Sequence, residues 1–246
     1  MEESTTTTSN ANQTLDRLYD TLTDRRSKNA FQTLWDKASE LNELYTPKVL
    51  SHYPPASPLT YGEILPALVH EIILQTGLSR RDCFYDLGSG VGNVVNQAAF
   101  EAGCIAHGVE IREDLHHISC RFLALLQPFT TGSVRLVKGD LLKTDLHEAT
   151  VVFVNNIRFD PKLTESLLRL FVRQLQLGTK VVALSDFRPR ARPPSIRTRD
   201  DPFCIFRYPC TVKTVSPAST KQCDQFLSWT NTPNDLKYYI YEVVSK

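Results

Sequence analysis

Between Cys83 and Phe100 the chain reads CFYDLGSGVGNVVNQAAF: an apolar run closing on an acid, three glycines at alternate positions, then an apolar stretch at helical spacing. Glycine in such a strand-to-helix turn lets the backbone fold tightly and lets ligand atoms approach without a Cβ in the way. The spacing selects the ligand. Gly88, Gly90 and Gly92 form GxGxG, whereas the dinucleotide fingerprint GxGxxG carries its third glycine one residue later, which disfavours a nicotinamide cofactor. The segment predicts a strand over Cys83 to Leu87 that ends beside Asp86, and a helix over Asn93 to Glu101.

Two further acids fall where a sheet of this kind needs them. Glu110 closes HGVE 24 residues after Asp86, a position from which a carboxylate can accept both ribose hydroxyls. Asp140 closes LVKGD and is placed to accept from an adenine amino group. Taken singly, each acid reads more simply as a solvated strand end; three in register behind a glycine loop read as a nucleoside site. No Lys/Ser phosphate-binding signature accompanies them, which fits a cofactor without phosphates.

The rest of the chain alternates in the same way. Strands are expected over Cys104 to Glu110, Val134 to Lys138, Val151 to Asn155 and Lys180 to Leu184, with helices over Asp114 to Leu126 and Pro161 to Leu175. Repeated βαβ units imply an α/β, Rossmann-like, doubly wound and mainly parallel sheet. DQFLSWTNTPNDLKYYIYEV reads as two aromatic-rich strands joined by a polar turn, a C-terminal antiparallel hairpin at one edge. Residues 1–14 are rich in Thr, Ser and Asn and are expected to be a disordered tail. Residues 15–60 hold two short helices, a small N-terminal helical subdomain, and a connector with four prolines. The principal domain covers residues 61–246. Thr60 and Glu63 could form a capping box, but Pro66 would then lie inside the helix at a cost of about 3 kcal/mol against about 1 kcal/mol for the cap, so the helix is expected to start near Pro66.

Composition narrows the class. Hydrophobic residues make up 41% and charged residues 22%, ordinary for a globular domain. No apolar run approaches the roughly 20 residues that span a bilayer, and the N-terminus has neither a basic start nor an apolar centre, so secretion and membrane insertion are not expected. The six cysteines form no CxxC pair, which predicts reduced thiols and no metal site. The net charge is +1, but Arg188, Arg190, Arg192, Arg197 and Arg199 crowd into FRPRARPPSIRTRD. That cluster is either a solvated loop or a contact for DNA or an acidic protein face.

Several ordered blocks carry a family resemblance: YGE at Tyr61 to Glu63, DLGSGVGNVV at Asp86 to Val95, GVE at Gly108 to Glu110, GD at Gly139 to Asp140, FVNN at Phe153 to Asn156, then SWT with Trp229 and a later YY with Tyr238. Together they resemble the disruptor-of-telomeric-silencing class of non-SET histone-lysine N-methyltransferases. The glycine motif alone indicates a class I methyltransferase sheet; FVNNIRFDP combined with YGE is far more specific. The resemblance implies transfer of methyl groups from S-adenosylmethionine to a lysine on the folded face of histone H3 in the nucleosome, in the nucleus. It implies that Tyr61, Glu63, Gly88, Asn93, Glu110, Asp140 and Leu141 line the cofactor pocket with the glycine loop, and that Phe153, Asn155, Trp229 and Tyr238 form the lysine channel. Asn155 would orient the amine or the cofactor. The chain is expected to act as a monomer, with the arginine cluster on DNA or an acidic histone face.

Methyl transfer from a sulfonium is an in-line displacement, so alignment of a neutral amine at roughly 3 Å is the main requirement. Lysine, with a free pKa of about 10.4, loses its proton more readily in an apolar channel, and aromatic faces tolerate the cationic product. No dedicated strong base and no metal are expected. Two other readings compete. FVNN also resembles the Asn-Pro-Pro-aromatic motif of nucleic-acid base methyltransferases, but no proline follows Asn155 or Asn156 and Ile157 stands where the stacking aromatic would be. A non-catalytic cofactor-binding chromatin module is the other.

Overall fold

The computed structural model describes residues 2–46, 62–188, 201–207, 210–215 and 236–245. Helices α1 (Glu2–Asp20), α2 (Lys28–Leu41) and α3 (Pro66–Thr76) precede the alternating region. There follow β1 (Cys83–Leu87), α4 (Asn93–Ala102), β2 (Ile105–Glu110), α5 (Glu113–Leu126), β3 (Ser133–Lys138), β4 (Val151–Val154), α6 (Pro161–Gln174), β5 (Lys180–Ala183), β6 (Thr211–Val215) and β7 (Leu236–Glu242).

The strands form one seven-stranded sheet in the order β3-β2-β1-β4-β5-β7-β6. The first five run parallel, and β7 is antiparallel to both β5 and β6. The order reverses beside β1, which places a crevice at the carboxyl ends of β1 and β4, where open α/β sheets bind ligands. β4 is buried at every position and β1 at all but its first, as expected for strands covered on both faces.

Helices cover the sheet in layers. One apolar cluster packs α6 and the Pro202–Ile205 turn on one face. A second packs α3 and α4 on the other, joining Ile64, Leu68 and Ile72 to Phe153, Val182 and Tyr238. A third lies further out, where Ala11 and Leu15 of α1 and Phe31, Leu34 and Trp35 of α2 meet Phe100 of α4 and Phe122 of α5. Trp35 stacks on Phe122 with ring centroids 4.1 Å apart. Burial of each such side chain contributes about 1.5–3 kcal/mol, so the N-terminal helices dock onto the sheet domain by a sizeable core of their own.

Several local expectations hold. α3 starts at Pro66, the N1 position where proline's missing N–H costs nothing, and ends on Gly77 with φ 68°. Two differ. The Thr/Ser-rich start, expected to be a disordered tail, belongs to α1; what composition could not show is that Ala11 and Leu15 in its second half are buried against α2. The edge hairpin is also built differently: the partner of β7 is β6, with Tyr239 opposite Val212, because β7 inserts between β5 and β6. The DQFLSW segment expected to pair there lies outside the described residues.

Candidate active site

The carboxyl ends of β1, β2 and β4 and the turn after β3 form an open cleft with a cavity volume of about 180 Å³, at the position where open α/β sheets bind ligands. Its walls include Asp86, Gly88, Gly90, Asn93, Glu110, Asp140, Leu141, Phe153 and Asn155. Chain folding thus gathers, from four separate stretches, most of the residues the motifs single out.

The glycine loop is held by the end of β2. Gly88 and Ser89 both donate their N–H groups to the Val109 carbonyl, at 2.9 and 3.0 Å. Glu110 accepts from Gly90 N on Oε2 and from Arg112 N on Oε1, each at 2.8 Å. Gly88 has φ 91°, and the space a Cβ would occupy is open, so glycine both permits this turn and leaves the cleft floor clear. Gly108 serves a different need. A Cβ there would stand 2.8 Å from Ser89 Oγ and 2.9 Å from Val95 Cγ2, so the glycine of GVE lets the loop and α4 lie against β2.

Asp86 pairs in register with Gly108 on one side and Phe153 on the other. It is 2% exposed, and burial, reinforced by the negative charge of Glu110, pushes its carboxyl well above the usual carboxylate range. Burial also raises Glu110, opposed by the N–H groups of Arg112 and Gly90. Asp140 caps the turn after β3, accepting from Leu142 N at 2.9 Å. No lysine or arginine is among the described lining residues. A floor with buried carboxylates and no basic group favours a ligand that is cationic and lacks phosphates.

The two asparagines of FVNN do different work. Asn156 donates to the Ser185 carbonyl at 2.9 Å and accepts from Ser185 N at 2.8 Å, lashing the end of β4 to the end of β5. Asn155 faces the cleft, and its amide has no hydrogen-bond partner among the described residues. Tyr238, fully buried in the cluster that holds Phe153, has a hydroxyl without a partner.

Not every expected residue lies on the cleft wall. Gly92 forms the N-cap of α4 with φ 80°. Glu63 is buried behind the rim, accepting from Trp35 Nε1 at 3.1 Å and from the Tyr45 hydroxyl at 2.5 Å, while its neighbours Gly62 and Ile64 line the cleft. Asn93 donates to the Ile64 carbonyl from the other side. Tyr61, Trp229, Arg190, Arg192, Arg197 and Arg199 lie outside the described residues. Phe159 and Leu163 line the cleft without having been singled out; the signal was available for Phe159, an aromatic between the strand-end asparagines and the capping Asp160.

Comparison with known proteins agrees with this architecture. Among solved structures, an S-adenosylmethionine-dependent O-methyltransferase from Thermotoga maritima superposes with a TM-score of 0.50 at 13% identity, covering 75% of this chain and 67% of that one. This establishes the class I methyltransferase, Rossmann-like fold. Among curated sequences, a histone-lysine N-methyltransferase, H3 lysine-79 specific, from Dictyostelium discoideum is 33% identical over 83% of this chain and 11% of its own length. A protein of the same name from Emericella nidulans is 36% identical over 57% of this chain and 30% of its own. The chain therefore spans a minor part of these relatives. Residues 43–243 match the family described as histone methylation protein DOT1, and with this match over most of its length the chain belongs to that family.

Proposed function

We propose that this chain is a protein-lysine N-methyltransferase that uses S-adenosylmethionine to methylate a lysine in the folded core of histone H3 within the nucleosome. The observation that carries the reading is the cleft itself: the buried acids Asp86 and Glu110 under an open glycine loop, next to Phe153 and an unpartnered Asn155 amide, in a member of this family. Gly88, Asn93, Glu110, Asp140 and Leu141 would hold the cofactor, which supplies the electrophilic methyl group when bound.

The chain's own task is to present a neutral amine. Phe153 and Phe159 on the cleft wall, with Tyr238 in the core behind, exclude water and disfavour the protonated lysine. Asn155 orients the nitrogen through its free amide. The arginine run supplies positive charge for DNA or an acidic histone face. Its first member, Arg188, is rooted by Asp186, which in turn accepts from the Tyr241 hydroxyl at 2.8 Å. Such an enzyme works in the nucleus.

Transfer of labelled methyl groups to reconstituted nucleosomes, free histones and DNA in parallel tests the proposal. Label on a histone H3 lysine, in nucleosomes only, is the expected result. Label on DNA would overturn it in favour of a base methyltransferase, and cofactor binding without label would leave a binding module.

A further inference from the structure

Residues 62–64 form one rim of the cleft and have almost no secondary structure to hold them. Ile64 makes an isolated bridge, and the helix begins only at Pro66. Their position comes from side chains instead, from two directions. On the inner side, Asn93 at the start of α4 donates to the Ile64 carbonyl, and Gln97 one turn later donates to the Pro66 carbonyl at 2.8 Å. On the outer side, the N-terminal subdomain holds Glu63. Trp35 of α2 donates its indole N–H to Oε1 at 3.1 Å, and Tyr45 donates its hydroxyl to Oε2 at 2.5 Å.

Both donors are themselves fixed. Trp35 is 4% exposed and stacked on Phe122. Tyr45 meets the same Phe122 edge-on at 5.2 Å. Asn42, between them in the chain, donates to the Ile118 carbonyl of α5 at 3.2 Å. A carboxylate that is 6% exposed and gripped on both oxygens has one orientation. Burial, reinforced by the charge of Glu63, raises the Tyr45 hydroxyl above its ordinary range and keeps it a donor.

We infer that the α1–α2 subdomain is part of the cofactor site, with Trp35 and Tyr45 acting as positioning residues that set the 62–64 rim through Glu63. Of the two donors, Trp35 lies ahead of the segment matched by the family and Tyr45 lies within it. Linkage makes the effect reciprocal: if the docked helices favour cofactor binding, the bound cofactor holds the helices docked.

The inference rests on the cofactor assignment above, and calorimetric binding of S-adenosylmethionine to the full chain separates the two, because it requires no methyl acceptor. Trp35→Phe keeps the stacking and removes the N–H, and Tyr45→Phe removes the hydroxyl. Each should weaken cofactor binding about tenfold, as expected for loss of a hydrogen bond to a charged group. Phe206→Leu is the control: its buried ring packs on Phe171 and Tyr241 in the cluster on the other face of the sheet, away from α2 and Glu63. It should lower Tm at least as much while binding the cofactor within about twofold of wild type. Added cofactor should slow amide exchange in α2 of the wild type and not of Trp35→Phe. Unchanged affinity in both phenylalanine variants, or an equal loss in Phe206→Leu, would overturn the inference. A wild type that binds no cofactor would instead overturn the assignment on which it rests.

Discussion

The N–H of Gly90 donates to Oε2 of Glu110 at 2.8 Å, so one carboxylate joins the glycine loop after β1 to the end of β2. With Arg112 N on the other oxygen, Glu110 spends an in-plane lone pair on each side in shaping the backbone and keeps its remaining acceptor capacity for a ligand. Glu110→Gln replaces one acceptor by an NH₂ group that faces a backbone N–H. It should destabilise the protein by about 1–3 kcal/mol, the cost of leaving a buried donor unsatisfied, and weaken S-adenosylmethionine binding more than tenfold. Thermal unfolding and calorimetry read the two effects.

Asp86 is the pH-sensitive member of the pair. Its carboxyl is raised by burial and by Glu110, so in the folded protein it holds its proton to a higher pH than in the unfolded chain. Its contribution to stability is therefore complete below the unfolded pKa and is lost as pH rises through the folded one. Asp86→Asn removes that loss. The variant should melt higher than wild type at pH 7 to 8, with the gain shrinking as pH falls toward the ordinary Asp value of about 3.9. A cationic ligand favours the carboxylate, so S-adenosylmethionine should bind the wild type more tightly as pH rises and bind Asp86→Asn weakly at all pH values. A variant neither stabilised nor impaired would show that Asp86 carries no charge cost.

Asn155 and Asn156 are adjacent in sequence and opposite in role. Asn156→Ala breaks both hydrogen bonds to Ser185 and should cost about 2 kcal/mol or more, a Tm fall of roughly 4–8 °C for a chain of this size. Asn155→Ala should leave Tm within about 2 °C while methyl transfer to nucleosomes falls more than tenfold. Turnover within about threefold of wild type would remove Asn155 from the reaction.

What could be read from the residues follows how local its causes are. The turn through Gly88 and Gly90, the start of α3 at Pro66 and the strand-end acids depend on neighbours in sequence, and spacing carries them. The role of Glu63 depends on Trp35, 28 residues earlier, and on Tyr45, and nothing in YGE itself announces either. The insertion of β7 between β5 and β6 is likewise a choice of partner, which alternation alone does not specify. α1 escapes composition because buried Ala11 and Leu15, rather than helix propensity, anchor it. Phe159 was hidden by its company: in FVNNIRFDP the asparagines draw the eye, while the aromatic that reaches the cleft sits just before the cap of α6.

Tyr238 closes the argument about the channel. Its ring is fully buried in the same apolar cluster as Phe153, yet its hydroxyl has no partner among the described residues, a state that costs about 1–3 kcal/mol. A protein that served stability alone would carry phenylalanine there. Tyr238→Phe should accordingly raise Tm by roughly 2–12 °C and, if the hydroxyl is kept for the incoming amine, lower methyl transfer to nucleosomes at least tenfold with cofactor affinity unchanged. A gain in stability with full turnover would show that the hydroxyl is only a core defect and that the channel wall is formed by Phe153 and Phe159. A loss of both would mean that the hydroxyl supports the packing between the sheet and α3, and that the channel assignment for Tyr238 fails.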